Sequence, residues 1–190
     1  SLGQPNLHSI MASQLRVDKI IPVDGVGTDS GNTVYGGGIV QIVQNFTSSE
    51  VSMTSTTFAD TGLNCTITPK FASSKILIIV NQQYRLIRSS SQTGGGFRIL
   101  RGSTVIQTGP DNSSGSQPFG EYLVVDGASN IELYSRYNIQ YLDTPNTTSA
   151  TTYKTQMAVR TTASSAQARA QYQASDENGK SYMTLIEVSA

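Results

Sequence analysis

Nucleophilic catalysis on a Ser or Cys needs a base within reach, most often a histidine. This chain has one His, His8, and one Cys, Cys65. His8 lies in a polar amino-terminal stretch without a strand or helix pattern, a poor support for a positioned base. Cys65 alternates with Leu63 and Ile67, so it reads as a small core residue. A lone Cys also excludes a disulfide framework and a CxxC zinc or redox site.

Paired carboxylates are the remaining hydrolytic option, because a glycosidase holds two of them about 5–9.5 Å apart. Glu121 and Asp126 lie on one expected strand at a spacing that turns them to opposite sides. Asp143 precedes Thr144-Pro145 and reads as a turn starter. Asp176-Glu177 flanks a hairpin tip, and Glu187 faces opposite to Ile186 and Val188 in the last strand. No spacing selects a pair. A small depolymerase would have to draw its acids from Glu121, Asp126, Glu132 and Asp143 by convergence in the fold.

Asp24-Gly25 and Asp29-Ser30-Gly31-Asn32 offer oxygens without calcium-loop spacing or its terminal Glu. Gly36-Gly37-Gly38 and Gly94-Gly95-Gly96 lack the Lys-Ser/Thr of a phosphate loop. The residues therefore assign no catalytic group, no cofactor and no metal. Arg85, Arg88, Arg98 and Arg101 cluster in the chain. On strands they would form either a basic stripe for an acidic glycan or, more commonly, rim charges with acid partners.

The elements that must position these groups are strands. Ser and Thr make up about a quarter of the 190 residues, and Tyr numbers 9. Thr, Val, Ile and Tyr suit a pleated, half-buried surface. The 13 basic and 13 acidic residues cancel, which leaves no electrostatic footprint for nucleic acid. The longest apolar run, Ile76 to Val80, falls far short of the roughly 20 residues of a membrane span, so membrane insertion is not expected.

Residues 1–36 read as an arm or linker, and 37–190 as one domain. Met11-Ala12-Ser13 resembles a native start, with residues 1–10 an addition or upstream extension. Strands are expected over Ile39–Phe46, Val51–Ala59, Leu63–Ile67, Lys75–Ile87, Phe97–Leu100 and Thr104–Gln107, the last two joined by a hairpin or bend at Arg101-Gly102-Ser103. Glu121–Asp126, Ile131–Tyr137, Thr151–Arg160, Ala168–Ala174 and Tyr182–Val188 follow. In the long fourth strand Ile76, Ile78, Val80, Gln82, Tyr84 and Leu86 share one face. Gln92–Gly96 and Asn112–Gln117 read as exposed loops, and Asn178-Gly179 as a hairpin turn. The uncharged, Pro-free Ile39–Gln44 is an aggregation hazard on a free edge. It is expected at the centre of a sheet or buried against a partner. Short alternating strands with turn signals describe an all-β antiparallel sandwich or barrel.

Several segments, in order, carry a resemblance. Met11-Ala12-Ser13-Gln14-Leu15-Arg16-Val17-Asp18-Lys19-Ile20 with Pro22-Val23-Asp24-Gly25 resembles the opening of small structural proteins of tailed phages, notably those infecting marine cyanobacteria and other aquatic bacteria. Ile39-Val40-Gln41-Ile42-Val43-Gln44 follows a Gly-rich step, as is common there. Thr61-Gly62-Leu63, Thr66-Ile67-Thr68-Pro69 and Ser73-Ser74-Lys75-Ile76-Leu77-Ile78 resemble a recurrent pattern of phage fibre-like domains. So do Phe97–Gly102, Tyr141–Pro145 with Thr151–Lys154, and Thr184–Ala190.

The resemblance covers most of residues 11–190. It implies a non-enzymatic virion surface component: a tail fibre, a head fibre or a capsid decoration protein. It also implies a jelly-roll-like β-sandwich, often a homotrimer, made in the bacterial cytoplasm and held by other virion proteins. Under that expectation Leu15, Val17, Ile20, Ile21 and Pro22 would anchor the arm. Loop position and polarity make Ser89, Gln92, Asp111, Asn112, Tyr137, Tyr141 and Asn146 candidates for contact with a host surface glycan or protein. The alternatives are a small polysaccharide depolymerase and a cellular carbohydrate-binding module.

Overall fold

The structure is a computed structural model that describes residues 38–90, 93–108, 121–123, 129–160, 165–174 and 178–189. The expected arm, with Leu15, Val17, Ile20, Ile21 and Pro22, lies outside the described residues.

Among the described residues eleven strands run in chain order: β1 Ile39–Thr47, β2 Val51–Met53, β3 Ala59–Ile67, β4 Lys75–Ser90, β5 Thr93–Arg101, β6 Thr104–Thr108, β7 Glu121–Leu123, β8 Ser129–Asp143, β9 Thr151–Val159, β10 Gln167–Ala170 and β11 Ser181–Val188. They form two antiparallel sheets of six and five strands. In the first, β4 pairs with β8 along nearly its whole length. Its other edge carries β11 and then β10. β1 adds outside β11, and β2 outside β10. The second sheet runs β3-β9-β5-β6, with β7 against the start of β5.

Setting aside the short β2, β7 and β10, the sheets are ordered β1-β11-β4-β8 and β3-β9-β5-β6. Apart from the β5–β6 hairpin, each connection between these eight strands passes from one sheet to the other. That is a jelly-roll topology. The protein is therefore an all-β antiparallel sandwich, as expected.

The inner faces follow the alternation of the sequence. Ile76, Ile78, Val80, Gln82, Tyr84 and Leu86 of β4 are all buried, as are Leu63, Cys65 and Ile67 of β3. Cys65 is thus a core residue, and burial pushes its thiol pKa up. Tyr137 stacks between Tyr84 and Phe97, with ring centroids 4.4 and 4.7 Å away. Each such ring removes roughly 150–250 Å² from water.

The structure corrects several local expectations. Tyr137 is a core residue, because β8 continues to Asp143 and places it on the inner face. Gly94, Gly95 and Gly96 are buried within β5. A Cβ on Gly95 would stand 3.0 Å from Leu86 Cδ2, and its carbonyl accepts a hydrogen bond from Tyr137 at 3.0 Å. The absent side chain lets the two sheets approach there.

The strand expected over Val51–Ala59 stops at Met53. The Ser/Thr run that follows bonds locally, with Thr57 N donating to Ser55 Oγ at 3.0 Å, an alternative to the ladder. β10 ends at Ala170, and the next residue, Gln171, turns the chain with a φ of +51°. β1 sits at a sheet edge, not at the centre. At Asn178-Gly179 the expected hairpin is marked by an antiparallel bridge between Gln173 and Asn178, and neither Asn178 nor Gly179 has a positive φ. Gly179 is small because space is short: a Cβ there would lie 2.4 Å from Gln83 Oε1 and 2.6 Å from the Tyr172 carbonyl oxygen.

Gly179→Ala must displace that carbonyl, so it should cost about 1–3 kcal/mol, as overpacking does. The expected result is a lower urea midpoint with an unchanged slope. An unshifted midpoint would show that the Tyr172 segment yields freely.

Candidate functional site

Of the acids considered for hydrolysis, Glu132 and Asp143 are held apart. Glu132 and Asp143 both lie on β8, and at strand rise their separation is about 36 Å, far beyond a glycosidase pair. Asp143 is buried at the end of β8 rather than opening a turn. One Arg101 guanidinium nitrogen donates to its two oxygens at 3.0 and 2.9 Å, and Tyr153 donates at 2.7 Å. Arg101 belongs to β5 and Tyr153 to β9, so Asp143 clasps one sheet to the other. Burial and then the adjacent carboxylate push the Tyr153 phenol pKa far up, fixing it as a donor. Asp126 lies outside the described residues, as does the Glu121 side chain.

Glu187 points inward and has no exposed surface. Lys70 N and Phe71 N donate to its Oε1 at 2.8 and 3.3 Å, and Gln41 Nε2 to its Oε2 at 2.5 Å. It therefore caps the turn between β3 and β4. Burial opposes its charge, but these donors hold the carboxyl below its ordinary value of 4.5. Asp60 is likewise below its usual value: burial opposes ionisation, and Lys154 and Gln156 outweigh it. Glu50 accepts from Arg169 at 3.0 Å. Each described acid thus has its own partner and a structural task.

The four arginines do not form one stripe. Arg85 and Arg88 lie on β4, Arg98 and Arg101 on β5 of the other sheet. Arg98 donates to Gln156 and covers the Phe58 ring.

A different site emerges on the outer face of β4 and β8. The register sets Arg85 beside Tyr134, Gln83 beside Arg136, and Asn81 beside Asn138. Between them lies an open groove of about 470 Å³, lined by Gln83, Tyr134, Ser135, Arg136 and Asn138. Tyr134 is 44% exposed. Tyr172, just past β10, meets it edge-on at 5.7 Å. The Arg85 guanidinium lies 4.2 Å from the Tyr172 ring and 5.2 Å from that of Tyr134. Glu132 pairs with Arg85 and accepts from Tyr134 Oη at 2.8 Å. The Tyr134 hydroxyl, against a smaller opposing effect of burial, leads the groups that keep Glu132 below its ordinary pKa. Asn81 donates to Asn138 at 2.5 Å, and Arg136 reaches Asn81 and the Lys180 carbonyl. Rings, amides and guanidinium groups on a rigid sheet suit stacking and multiple hydrogen bonds.

Of the contact candidates read from sequence, Asn146 is exposed between β8 and β9 with φ +52°. Tyr141 is on β8 and packs against the core. Ser89 falls within β4 rather than in a loop. Gln92, Asp111 and Asn112 lie outside the described residues. Of the described candidates, Tyr137, Tyr141 and Asn146 do not line the groove. Tyr134 could have been found, since Glu132, Tyr134 and Arg136 alternate outward. Its partners on β4 and beyond β10 depend on register.

No family model matches the chain, and neither does any curated protein. Among the solved structures that match are three of infectious bursal disease virus. The Gx strain structure has a TM-score of 0.40 at 11% identity, over 89% of this chain and 42% of that one. The T13 viral particle gives 0.39 at 12%, over 89% and 40%. The VP2 subviral particle gives 0.35 at 11%, over 90% and 42%. The present chain thus spans less than half the length of those chains.

The Glu187 carboxyl has a lower pKa folded than unfolded. Its stabilisation is complete above the unfolded value and is lost as pH falls through the folded one. Glu187→Gln should therefore flatten the fall in Tm between about pH 7 and pH 3, while lowering Tm at neutral pH by loss of a charge-assisted cap. An acid-induced drop as steep as in the wild type would place the sensitivity in another carboxylate.

Proposed function

We propose that this chain is a non-enzymatic virion structural protein of a tailed phage: a short, trimeric, fibre-like protein that acts in host attachment. Residues 1–36 anchor it to other virion proteins, and the sandwich presents its outer strands to a host surface glycan. The observation that carries this reading is the groove at Tyr134, where aromatic rings, amides and a guanidinium group meet on a rigid sheet. That combination recognises sugars through stacking and hydrogen bonds. The ordered resemblance to phage fibre-like proteins across residues 11–190 supports the same reading. The jelly-roll topology is compatible with it, although fold alone does not specify function.

Capsid decoration is the second reading. It is favoured by the exposed, uncharged side chains of β1, Ile42 at 58% and Phe46 at 55%, which suit docking on a repeated lattice.

Mass spectrometry of purified virions should detect the chain, and antibody labelling in electron microscopy should place it on the tail. Labelling of the capsid would select decoration, and absence from virions would sink both. The purified full chain should bind host cells. Tyr134→Ala should weaken that binding about tenfold, equivalent to about 1.4 kcal/mol of lost stacking. Unchanged binding would remove the groove from host attachment.

A further inference from the structure

We infer that the outer face of β1 and β11, with the adjoining parts of β4 and β8, is covered by a second copy of this chain. The inference deepens the homo-oligomeric part of the proposed function and rests on it. It also assigns the contact to a definite surface.

Register alone defines the surface. Ile42, Ile186, Leu77 and Leu142 stand side by side across the four strands. The next row is Gln44, Thr184, Ile79 and Gln140, and the one after is Phe46, Tyr182, Asn81 and Asn138. None of these twelve side chains is charged. Exposure is 58% at Ile42, 55% at Phe46, 39% at Leu142 and 38% at Tyr182. The opposite face of the same strands is the core, so both faces of this sheet half carry apolar side chains.

Among the described residues, β1 pairs only with β11 and carries no strand on its outer edge. Its segment Ile39–Thr47 contains no Lys, Glu or Pro, the usual means of blunting an edge. Its inward side is tied down, because Gln41 donates to the Thr68 carbonyl and Asn45 to that of Asn64, each at 2.8 Å. The strand is thus held firmly while its outer apolar side chains face solvent. Lys180, 4.8 Å from the Phe46 ring, stands at the end of the band.

The chemistry favours a second copy over another occupant. Gln, Asn, Thr and Tyr side chains both donate and accept hydrogen bonds, so one part of the band can pair with another part of it on a neighbouring copy, as the contact in a cyclic trimer requires. Absence of charge removes like-charge repulsion and offers no field to an acidic or basic partner. Three rows on four strands cover roughly 19 by 20 Å in projection, about 380 Å² before side-chain relief. A standard interface takes about 800 Å² from each partner, so this face supplies about half of one in projection. The groove residues Gln83, Arg85 and Tyr134 lie beyond its last row and stay open beside it.

Light scattering on the full chain tests the inference. The wild type should have a mass that is a multiple of 20.3 kDa, about 61 kDa for a trimer. Phe46→Glu and Ile42→Lys should each fall to the monomer mass with an unchanged circular dichroism spectrum. Val105→Lys, at an exposed position on β6 of the other sheet, should keep the wild-type mass. If Phe46→Glu fails to fold, Gln44→Lys at the centre of the band carries the same test. Variants that keep the multimer overturn this interface while leaving the homo-oligomer intact. A wild type that is monomeric at high concentration overturns both.

Discussion

β4 is the strand on which the rest of the sandwich depends. Its sixteen residues pair with β8 on one edge and with β11 and then β10 on the other. Because it serves all three, its alternation decides which face of the first sheet is dry. A one-residue slip would turn Ile76, Ile78, Val80, Tyr84 and Leu86 to solvent together. It would also dismantle the polar contacts that Gln82 makes inside. The strong preference for one register follows from that collective penalty.

The interior is not wholly apolar, and its polar members act between the sheets. Gln82 Oε1 accepts from Thr155 at 2.9 Å and Thr61 at 3.2 Å, both on the opposing sheet, while its Nε2 donates to Ser181 at 2.9 Å. Gln171 completes the cluster. Turned so that its nitrogen faces the Ser49 and Thr61 carbonyls at 3.1 and 2.9 Å, it accepts from Ser181 Oγ at 2.9 Å. These bonds hold Gln171 in its left-handed backbone conformation, which otherwise costs of order 1–3 kcal/mol. Asp143 with Arg101 and Tyr153 makes a second clasp. Apolar burial drives the sheets together, whereas these directional contacts fix how they face each other.

The outer face of the first sheet divides by row. Uncharged side chains occupy the rows from Ile42 to Asn138, and arginine, tyrosine and glutamate occupy those beyond. The division has a physical consequence. A surface without charge can meet a neighbouring copy without like-charge repulsion, while a ring beside a guanidinium group offers directional contacts to a smaller polyhydroxylated ligand. Assembly and recognition thus share one sheet and meet at Asn138, which ends the third row and lines the groove.

Period-two alternation was enough to show an all-β sandwich, the inward set on β4 and the burial of Cys65. These are local properties: each side chain's face is settled by its neighbours two residues away. The glycines of β5 misled as a loop signal because their purpose is a close approach to Leu86 and Tyr137 on the other sheet. Tyr137 and Asp143 misled because β8 runs further than its apolar pattern. The contacts of Arg85 with Tyr134 and Tyr172, the row from Ile42 to Leu142, and the edge position of β1 join residues tens of positions apart. No local pattern encodes them. Strand order and register decided them, and those come from closing the two sheets over a shared core.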